Sequence, residues 1–498
     1  MLAQKLILGY STRIFLQFLQ VAASIVVARI AGPSVLGTIA FGLAYVSMFL
    51  FIADLGIGTA HIKLVSEGRD LGKCITTYAV LKLSYTCLFA LIVLGTFFFQ
   101  KTILHYQFES STHEYVIFIM LAAVLIEQLF SIPKTTFAAR TEQAKQSIPE
   151  IVKSIAYQFL RITVVLMGYG AVALALGNLI STLLTIPVFI YLFRGYKFGN
   201  FDKKLAKEYM VMSLPIILLG MSTKLITSLD KVLLQYFTNS TCLGYYTAGF
   251  RIGGFILLIA NTVSMLFFPL FSEAAGKGDF RFIKEKIVKF ERFSFLFIMP
   301  GVILVAIFSD TIIMTLLGTQ YMPSGTIMSI ITIAMFLMVL NMPYGNVITG
   351  MGDFKLASII NVSTLFLFIV AIFFLSSPNM ANLGATGAAI AVLLANAFIG
   401  ILYRVFAKKK CPILSNKYGL KFSLYGIINF LMFYSLYHNL SILSDIRAKI
   451  IFIFVYFAIT YFSFSLFKWI NKKDWRSFVI LANVKSMNRY IKDELKGE

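Results

Sequence analysis

The segment LGYSTR, at residues 8–13, recurs as LGMSTK at residues 219–224, and this repetition indicates how the chain is organised. Both copies lie in long apolar runs, and each ends in a cation, Arg13 or Lys224. A charge inside a membrane helix costs about 2.5–3.5 kcal/mol on insertion scales, and such residues usually face a bundle interior or a water-filled cavity. The repeated cation therefore predicts two equivalent helices beside one polar space.

The composition is that of an integral membrane protein. Of the 498 residues, 59% are hydrophobic and 13% are charged, and the mean hydropathy is +0.84. Soluble domains have about 45–50% apolar and about 25% charged residues. Apolar runs long enough to cross about 30 Å of hydrocarbon follow one another along the chain. The runs are continuous rather than alternating, which favours helices over barrel strands.

We predict an all-α polytopic membrane protein with about 14 transmembrane helices. The first run is longer than the apolar core of a signal peptide and carries the repeat, so we expect it to be the first span. The predicted spans are residues 6–30, 38–59, 75–99, 115–132, 150–168, 171–193, 211–236, 243–270, 293–313, 325–349, 356–376, 384–406, 420–438 and 450–468.

The distribution of basic residues predicts the orientation in the membrane. Lys and Arg number 44 against 22 Asp and Glu, and most of them lie in alternate loops and beyond Phe467. The opposite loops contain little beyond Arg29, Lys101, Arg447 and Lys449. By the positive-inside rule the basic loops and both termini are cytoplasmic, and we call the opposite side the outer side. Topology and lipid headgroups account for the charge, so no nucleic-acid partner is expected.

The internal repeat extends beyond the opening segment. Leu36-Gly37 is echoed by Leu243-Gly244, and Ser66-Glu67 by Ser272-Glu273, at offsets of 207 and 206. Six spans separate each feature from its echo, so the two halves have the same orientation, as in many secondary transporters. The predicted parts are an N-terminal six-helix lobe (1–198), a C-terminal six-helix lobe (199–410), two additional transmembrane helices (411–470) and a basic cytoplasmic tail (471–498).

Two predicted helices carry equivalent polar and cationic stripes. Residues separated by three or four positions share one face of a helix. Arg251 on the eighth span adds a cation, and Asp230 is the expected local counter-ion. The stripes are Arg13, Gln17, Gln20 and Ser24 on the first span and Lys224, Ser228, Lys231 and Gln235 on the seventh. The candidate substrate-binding residues are Arg13, Gln17, Gln20, Lys224, Ser228, Lys231 and Arg251.

Several charged residues have open alternatives. Arg13 could reach the cytoplasmic interface by snorkelling, and Asp230 with Lys231 could be solvated near the outer surface. Asp54, Glu127 and Asp230 are candidate ion-coupling sites, with pairing to nearby cations as the alternative. Lys82 and Lys153 lie within about two turns of cytoplasmic ends, so we expect them to snorkel.

No catalytic residues, metal site or cofactor are expected. The four cysteines show no metal-ligand spacing and no disulfide framework. The chain has no GxxxxGK[ST] loop, so ATP hydrolysis is not expected. An excess of cations instead suits an anionic cargo, because ammonium and guanidinium groups can replace the hydration of a phosphate.

Two segments resemble one transporter family. Residues 27–63, VARIAGPSVLGTIAFGLAYVSMFLFIADLGIGTAHIK, resemble the opening of polysaccharide transporters in the multidrug/oligosaccharidyl-lipid/polysaccharide exporter superfamily. Residues 229–252, LDKVLLQYFTNSTCLGYYTAGFRI, resemble the start of that family's second lobe. The resemblance implies a V-shaped O-antigen or oligosaccharide flippase that moves an undecaprenyl-diphosphate-linked oligosaccharide from the cytoplasmic to the periplasmic leaflet of the bacterial inner membrane by alternating access.

The resemblance also implies roles for particular residues and partners. It assigns contact with the anionic lipid-linked cargo to Arg13, Lys224, Lys231 and Arg251. It implies work in lipopolysaccharide and polysaccharide biosynthesis beside a glycan polymerase and other assembly proteins, within the lipid bilayer.

Three alternatives remain beside this interpretation. A lipid II flippase, or an exporter of exopolysaccharide or teichuronic-type glycans, would use the same physics with another sugar. An ion-coupled multidrug exporter of the same superfamily would favour a cavity of the opposite charge. A glycan polymerase or ligase would need a sizeable outer loop, whereas the outer loops here are short.

Overall fold

The computed structural model describes residues 2–411, 418–439, 446–467 and 469. Side chains are not described at residues 2–14, 214–216, 219, 258–266, 418–423, 438 and 446. The predicted basic tail, residues 471–498, lies outside the described residues.

The described chain is helical throughout, and no strand occurs in those ranges. This confirms the all-α class. The α-helices are α1 (Leu2–Ser47), α2 (Ile57–Ser66), α3 (Leu71–Phe98), α4 (Ser111–Ala139), α5 (Gln143–Leu166), α6 (Ala171–Leu183), α7 (Ile186–Phe193), α8 (Lys203–Phe237), α9 (Ser240–Gly253), α10 (Leu257–Gly276), α11 (Phe280–Phe293), α12 (Met299–Ile307), α13 (Ser309–Leu317), α14 (Ser324–Gly350), α15 (Phe354–Ser376), α16 (Gly384–Lys410), α17 (Tyr418–Asn439) and α18 (Ile446–Leu466).

Nine helical segments in the described ranges are long and apolar enough to cross a membrane. They confirm a multi-pass membrane protein, whereas the finer count of about 14 spans stays a prediction. Some predicted spans differ from these segments for identifiable reasons. The predicted span 243–270 is divided between α9 and α10, and the span 211–236, within α8, includes residues whose side chains are not described, so the nine segments do not test it.

Helix α1 contains the first predicted span and the beginning of the second. Its break is at Gly32, whose φ of 80° lies in the left-handed region that suits glycine, and Pro33 follows. The second predicted span continues past Ser47 through turns and then enters α2. The two predicted spans are therefore joined by a single non-helical residue, which the apolar pattern alone did not reveal.

Helices α1 and α9 bring the two predicted lobes into backbone contact. A Cβ atom on Gly37 would clash with the carbonyl oxygen of Ser240, and one on Gly244 would clash with that of Pro33. An offset of 207 relates Gly37 to Gly244 and Pro33 to Ser240. The contact is therefore reciprocal, as expected for two repeats that meet around a two-fold axis. We call this contact the glycine seam.

Helix α8 packs on both predicted lobes. Near its start, the Tyr209 hydroxyl lies 2.8 Å from His61 Nδ1 of α2, and Glu208 pairs with Arg69 at 3.2 Å. At its other end, the Phe237 ring contacts Phe373 of α15, with centroids 5.8 Å apart. The helix thus connects the predicted lobes along its length, and the lobe boundary at residue 198 stays a prediction.

The two additional helices, α17 and α18, pack against α12 of the predicted C-terminal lobe. The buried Tyr456 hydroxyl donates a hydrogen bond to the Pro300 carbonyl oxygen at 3.1 Å. The Phe433 ring contacts Tyr456 edge to face, with centroids 4.7 Å apart. This packing places α17 and α18 beside the second half of the chain.

Candidate functional site

The polar stripe on α8 includes an exposed cation within the predicted membrane region. Thr223, Lys224 and Thr227 are exposed, whereas Ser228, one turn beyond Lys224 on the predicted stripe, is buried. Within the described part of the chain, the Lys224 ammonium forms no ion pair and no hydrogen bond. Hydrocarbon solvates an ammonium group poorly, so an exposed lysine at this depth requires water or an anion beside it.

Lys231 belongs to the same stripe but is already neutralised. Its Nζ atom lies 2.9 Å from Oδ2 of Asp230 and donates to the Thr227 carbonyl oxygen at 3.1 Å. The Tyr246 hydroxyl donates to Asp230 at 2.7 Å, and the Lys231 ammonium lies 5.2 Å from the centre of the Phe250 ring. Asp230 is thus the counter-ion that the sequence indicated. It compensates the charge of Lys231, whereas Lys224 has no carboxylate partner in the described residues.

The stripe on α1 meets α9 through a single hydrogen bond. Ser24 is buried, and its hydroxyl oxygen accepts a hydrogen bond of 3.0 Å from Arg251 Nη1. Gln17 is half-buried and Gln20 is exposed. The side chain of Arg13 lies outside the described residues, so its predicted role stays a prediction.

A second cation, Arg161 of α5, lies close enough to Arg251 for their like charges to interact. Arg161 is 6% exposed, donates to Gln158 at 2.9 Å and stacks on Tyr157 at 5.1 Å. Neither guanidinium pairs with a carboxylate of the described residues. Two like charges without an acid form a site that an anion would stabilise. Arg161 was not among the predicted binding residues.

The space beside Arg251 is small. A cavity of about 20 Å³ separates α1, α9 and α13, and it is about large enough for one water molecule. Arg251 and Ser24 line it together with apolar residues such as Val21 and Leu317. The Arg251 guanidinium therefore packs close to α1, with room for about one water molecule beside it.

The three candidate ion-coupling acids all pair with lysines. Asp54 lies 3.4 Å from Lys82, Glu127 pairs with Lys153, and Asp230 pairs with Lys231. The expectation that Lys82 snorkels is wrong, because its side chain is 3% exposed and its ammonium is held by Asp54. An ion that bound any of these acids would have to compete with an ammonium group.

A polar cluster that sequence reasoning missed joins the predicted lobes on the outer side. Glu109 Oε2 accepts hydrogen bonds from the Ser240 amide at 2.7 Å, the Ser240 hydroxyl at 2.6 Å and Gln235 Nε2 at 2.7 Å. His113 Nε2 lies 2.8 Å from the same Ser240 hydroxyl. The available signal was an outer loop, residues 100–114, with two acids, Glu109 and Glu114, and the sequence could not identify their partners.

The hydrogen bonds to Glu109 keep it charged. Burial alone would raise its pKa, but the bonds from Ser240 and Gln235 outweigh burial and leave the pKa below its usual value. An outer cavity of about 700 Å³ adjoins the cluster. Its polar lining includes Ser34, Thr38, Glu109, Thr112, His113 and Ser240.

No group of three or more His, Cys, Asp or Glu residues that could hold a metal ion occurs in the described ranges. The carboxylates described above are engaged by ammonium, amide and hydroxyl donors instead.

Comparison with known proteins gives one family. The family described as polysaccharide biosynthesis protein matches residues 26–326. The probable low-salt glycan biosynthesis flippase Agl15 of Haloferax volcanii is 20% identical over 377 residues, which are 76% of this chain and 77% of that protein.

Solved structures share the fold at low sequence identity. The lipid II flippase MurJ in an inward closed conformation has a TM-score of 0.69 and 16% identity, covering 93% of this chain and 99% of that chain. A multidrug resistance MATE family transporter of the MOP superfamily, in an inward-facing conformation, has a TM-score of 0.67 and 14% identity, covering 80% and 95%. At these identities the likeness shows the fold alone.

Proposed function

Because the chain belongs to the polysaccharide biosynthesis protein family, whose match covers residues 26–326, we propose that it is a flippase for an undecaprenyl-diphosphate-linked oligosaccharide. The family consists of membrane transporters rather than enzymes, and the resemblance found in residues 27–63 and 229–252 is confirmed. The cargo crosses from the cytoplasmic to the outer leaflet of the bacterial inner membrane, with both termini of the transporter in the cytoplasm.

The observation that carries the proposal is the set of cations without acidic partners near the predicted lobe interface. Lys224 is exposed on α8, and neither Arg251 nor Arg161 pairs with a carboxylate of the described residues. A diphosphate cannot be solvated by hydrocarbon, so its crossing needs fixed donors in place of water. Lys and Arg supply charge-assisted hydrogen bonds to phosphate oxygens. These residues are the proposed diphosphate contacts, together with Arg13, Gln17, Gln20, Ser228 and Lys231.

The packing of α1 and α9 supports alternating access. The predicted lobes touch through the reciprocal glycine seam, where small residues allow close backbone approach. Rocking of one lobe against the other around such a contact exposes the cations first to one side and then to the other. The sugar chain travels in the polar cleft, and the polyprenyl tail stays in lipid beside α17 and α18.

The proposed contacts bind the diphosphate, which O-antigen carriers share with lipid II and with other diphosphate-linked glycan carriers. Selection among sugars must therefore come from other residues. Coupling at Asp54, Glu127 or Asp230 stays a proposal, and any driving ion would have to displace a lysine from its partner.

Purified protein in liposomes tests the proposal. A fluorescent undecaprenyl-diphosphate oligosaccharide is placed in both leaflets, and a membrane-impermeant quencher reports its exchange between them. We expect the protein to accelerate exchange of this lipid and not to accumulate a fluorescent organic cation. Transport of the organic cation without exchange of the lipid would favour a multidrug exporter and overturn the proposal.

A further inference from the structure

On the outer side, Glu109 of the first predicted lobe accepts hydrogen bonds from Ser240 and Gln235 of the second. We propose that Glu109 is the latch that keeps this side shut while cargo binds from the cytoplasmic side. The inference rests on the proposed alternating access. It assigns to Glu109 a positioning role, since the residue acts by holding α9 and not by touching the reacting cargo.

The geometry of the latch is that of an anion bound at the beginning of a helix. Ser240 is the first residue of α9, and its backbone N–H is one of those that have no partner within the helix. That N–H donates to Glu109 Oε2 at 2.7 Å, and the positive end of the helix dipole favours the negative charge. Gln235, from the end of α8, donates to the same oxygen. Three donors from the second half of the chain thus converge on one atom of the first half.

A chain of hydrogen bonds orients the Ser240 hydroxyl toward Glu109. A serine hydroxyl has one hydrogen, and here it points to the carboxylate at 2.6 Å. His113 Nε2, at 2.8 Å from that oxygen, must then be the protonated nitrogen of the ring. The other ring nitrogen, Nδ1, accepts from the Ser110 hydroxyl at 3.0 Å. The Ser240 hydroxyl is thus bound by Glu109 and His113 of the first half of the chain, and Ser110 of the same half orients His113.

The surroundings of Glu109 allow its hydrogen bonds to Ser240 and Gln235 to break. The Glu109 side chain is 41% exposed and lines the outer cavity of about 700 Å³, so water can replace its partners when the lobes separate. At the neighbouring glycine seam the backbones of α1 and α9 lie in contact, which leaves no room for side chains between them. Phe41 contacts Tyr236 edge to face, with ring centroids 6.0 Å apart, and belongs to a buried apolar cluster that also includes Leu243 and Tyr246 of α9. To this closure Glu109 adds charge-assisted hydrogen bonds, beside neutral ones such as that from the Tyr236 hydroxyl to Gln100 at 2.9 Å.

A cysteine at Ala248 reports whether the outer side is shut. Ala248 is 3% exposed and packs with Ala28 and Leu36 of α1, so its site becomes accessible only when α1 and α9 part. In a protein without its four native cysteines, Ala248→Cys is treated with a membrane-impermeant thiol reagent from the outer side. We expect slow labelling with Glu109 intact, and labelling about tenfold faster or more with Glu109→Gln or Glu109→Ala, because the charged hydrogen bonds are weakened or lost.

Glu114→Gln is the matched control. Glu114 is another outer acid, but it pairs with Lys101 at 2.6 Å inside the same predicted lobe. Its loss should leave the labelling rate unchanged. Ser240→Ala, which keeps the backbone N–H but loses the hydroxyl, should give an intermediate rate.

Equal labelling of Glu109→Gln, Glu109→Ala and the parent would overturn the latch, and so would equal acceleration by Glu114→Gln. The readout needs no cargo, so it separates failure of the latch from failure of the proposed function. A Glu109 variant that labels fast without cargo supports the latch even if the glycan lipid is never flipped.

Discussion

Among individual side chains, the charges inside the predicted membrane region fall into two groups. Lys224, Arg161 and Arg251 have no carboxylate partner in the described chain, whereas Asp54, Glu127 and Asp230 each hold a lysine. In this conformation Lys224 is exposed, whereas Arg161 is buried and Arg251 has room beside it for only about one water molecule. The paired acids have a structural role that any coupling ion would have to disturb.

Replacing Asp54 with asparagine should destabilise the protein. The change leaves the buried Lys82 ammonium without its carboxylate, at a cost of about 1–3 kcal/mol. Thermal unfolding in detergent should show a lower midpoint for Asp54→Asn and recovery in the double variant with Lys82→Met. Glu67→Gln is the control, because its pair with Lys63 is exposed and worth about 0–1 kcal/mol. An Asp54→Asn protein as stable as Glu67→Gln would show that the pair has no structural role.

Sequence reasoning could select part of the candidate site, and the binding roles assigned to those residues stay predictions. Lys224, Lys231 and Arg251 could be selected because a charge in an apolar run is conspicuous. The pairing of Lys231 depends on its adjacent Asp230, and this was also visible in the sequence. Glu109 was missed because its partner Ser240 is 131 positions away and both lie in short polar loops. Such pairs emerge only when the helices are assembled.

Among the helices, α1 and α9 determine how closely the predicted lobes approach. The repeated Leu-Gly pair indicated that the halves are equivalent, but it did not reveal that each glycine faces the other copy's backbone. That information depends on the reciprocal packing of Gly37 on Ser240 and of Gly244 on Pro33. The break at Gly32 also escaped the apolar pattern, because one residue is too short to interrupt a hydrophobic window.

A methyl group at the glycine seam should separate the lobes on the outer side. Gly37→Ala or Gly244→Ala would force a Cβ atom against a carbonyl oxygen, and backbone atoms cannot move aside without shifting α1 or α9. We expect faster outer labelling of a cysteine at Ala248 in either variant.

Gly95→Ala is the control for the seam, because a Cβ atom at Gly95 in α3 would meet no heavy atom within 4 Å. Its labelling rate should match that of the parent. If Gly37→Ala and Gly95→Ala behave alike, the lobes do not close through this seam in solution.

The exposed face of α8 should contact water. Thr227 lies on the face of Lys224 and is exposed, whereas the adjacent Ser228 is 4% exposed. In the protein without native cysteines, Thr227→Cys should react with a membrane-impermeant reagent applied from the cytoplasmic side, and Ser228→Cys should react much more slowly. Failure of Thr227→Cys to react from either side would mean that this face packs against lipid or protein.

The protein as a whole combines a fold that the sequence predicted well with an arrangement that it did not. Composition and run length were sufficient for the all-helical, multi-pass class, because the length of an apolar helix is dictated by bilayer thickness. The number of spans stays a prediction, because α9 and α10 divide one apolar run and parts of α8 and α17 have side chains that are not described. The way that α8 crosses from one predicted lobe to the other depends on tertiary contacts such as Tyr209 with His61.

The most direct test of a cationic route for an anionic lipid is the rate at which Lys224 variants flip a fluorescent undecaprenyl-diphosphate oligosaccharide in liposomes. Loss of a charge-assisted contact worth about 1.5–3 kcal/mol predicts that Lys224→Ala is about tenfold to a hundredfold slower than the parent. Lys224→Arg should retain most of the rate, and Lys409→Ala, near the end of α16, should be unaffected. A well-folded Lys224→Ala protein that flips the lipid at the parent rate would contradict the proposed route.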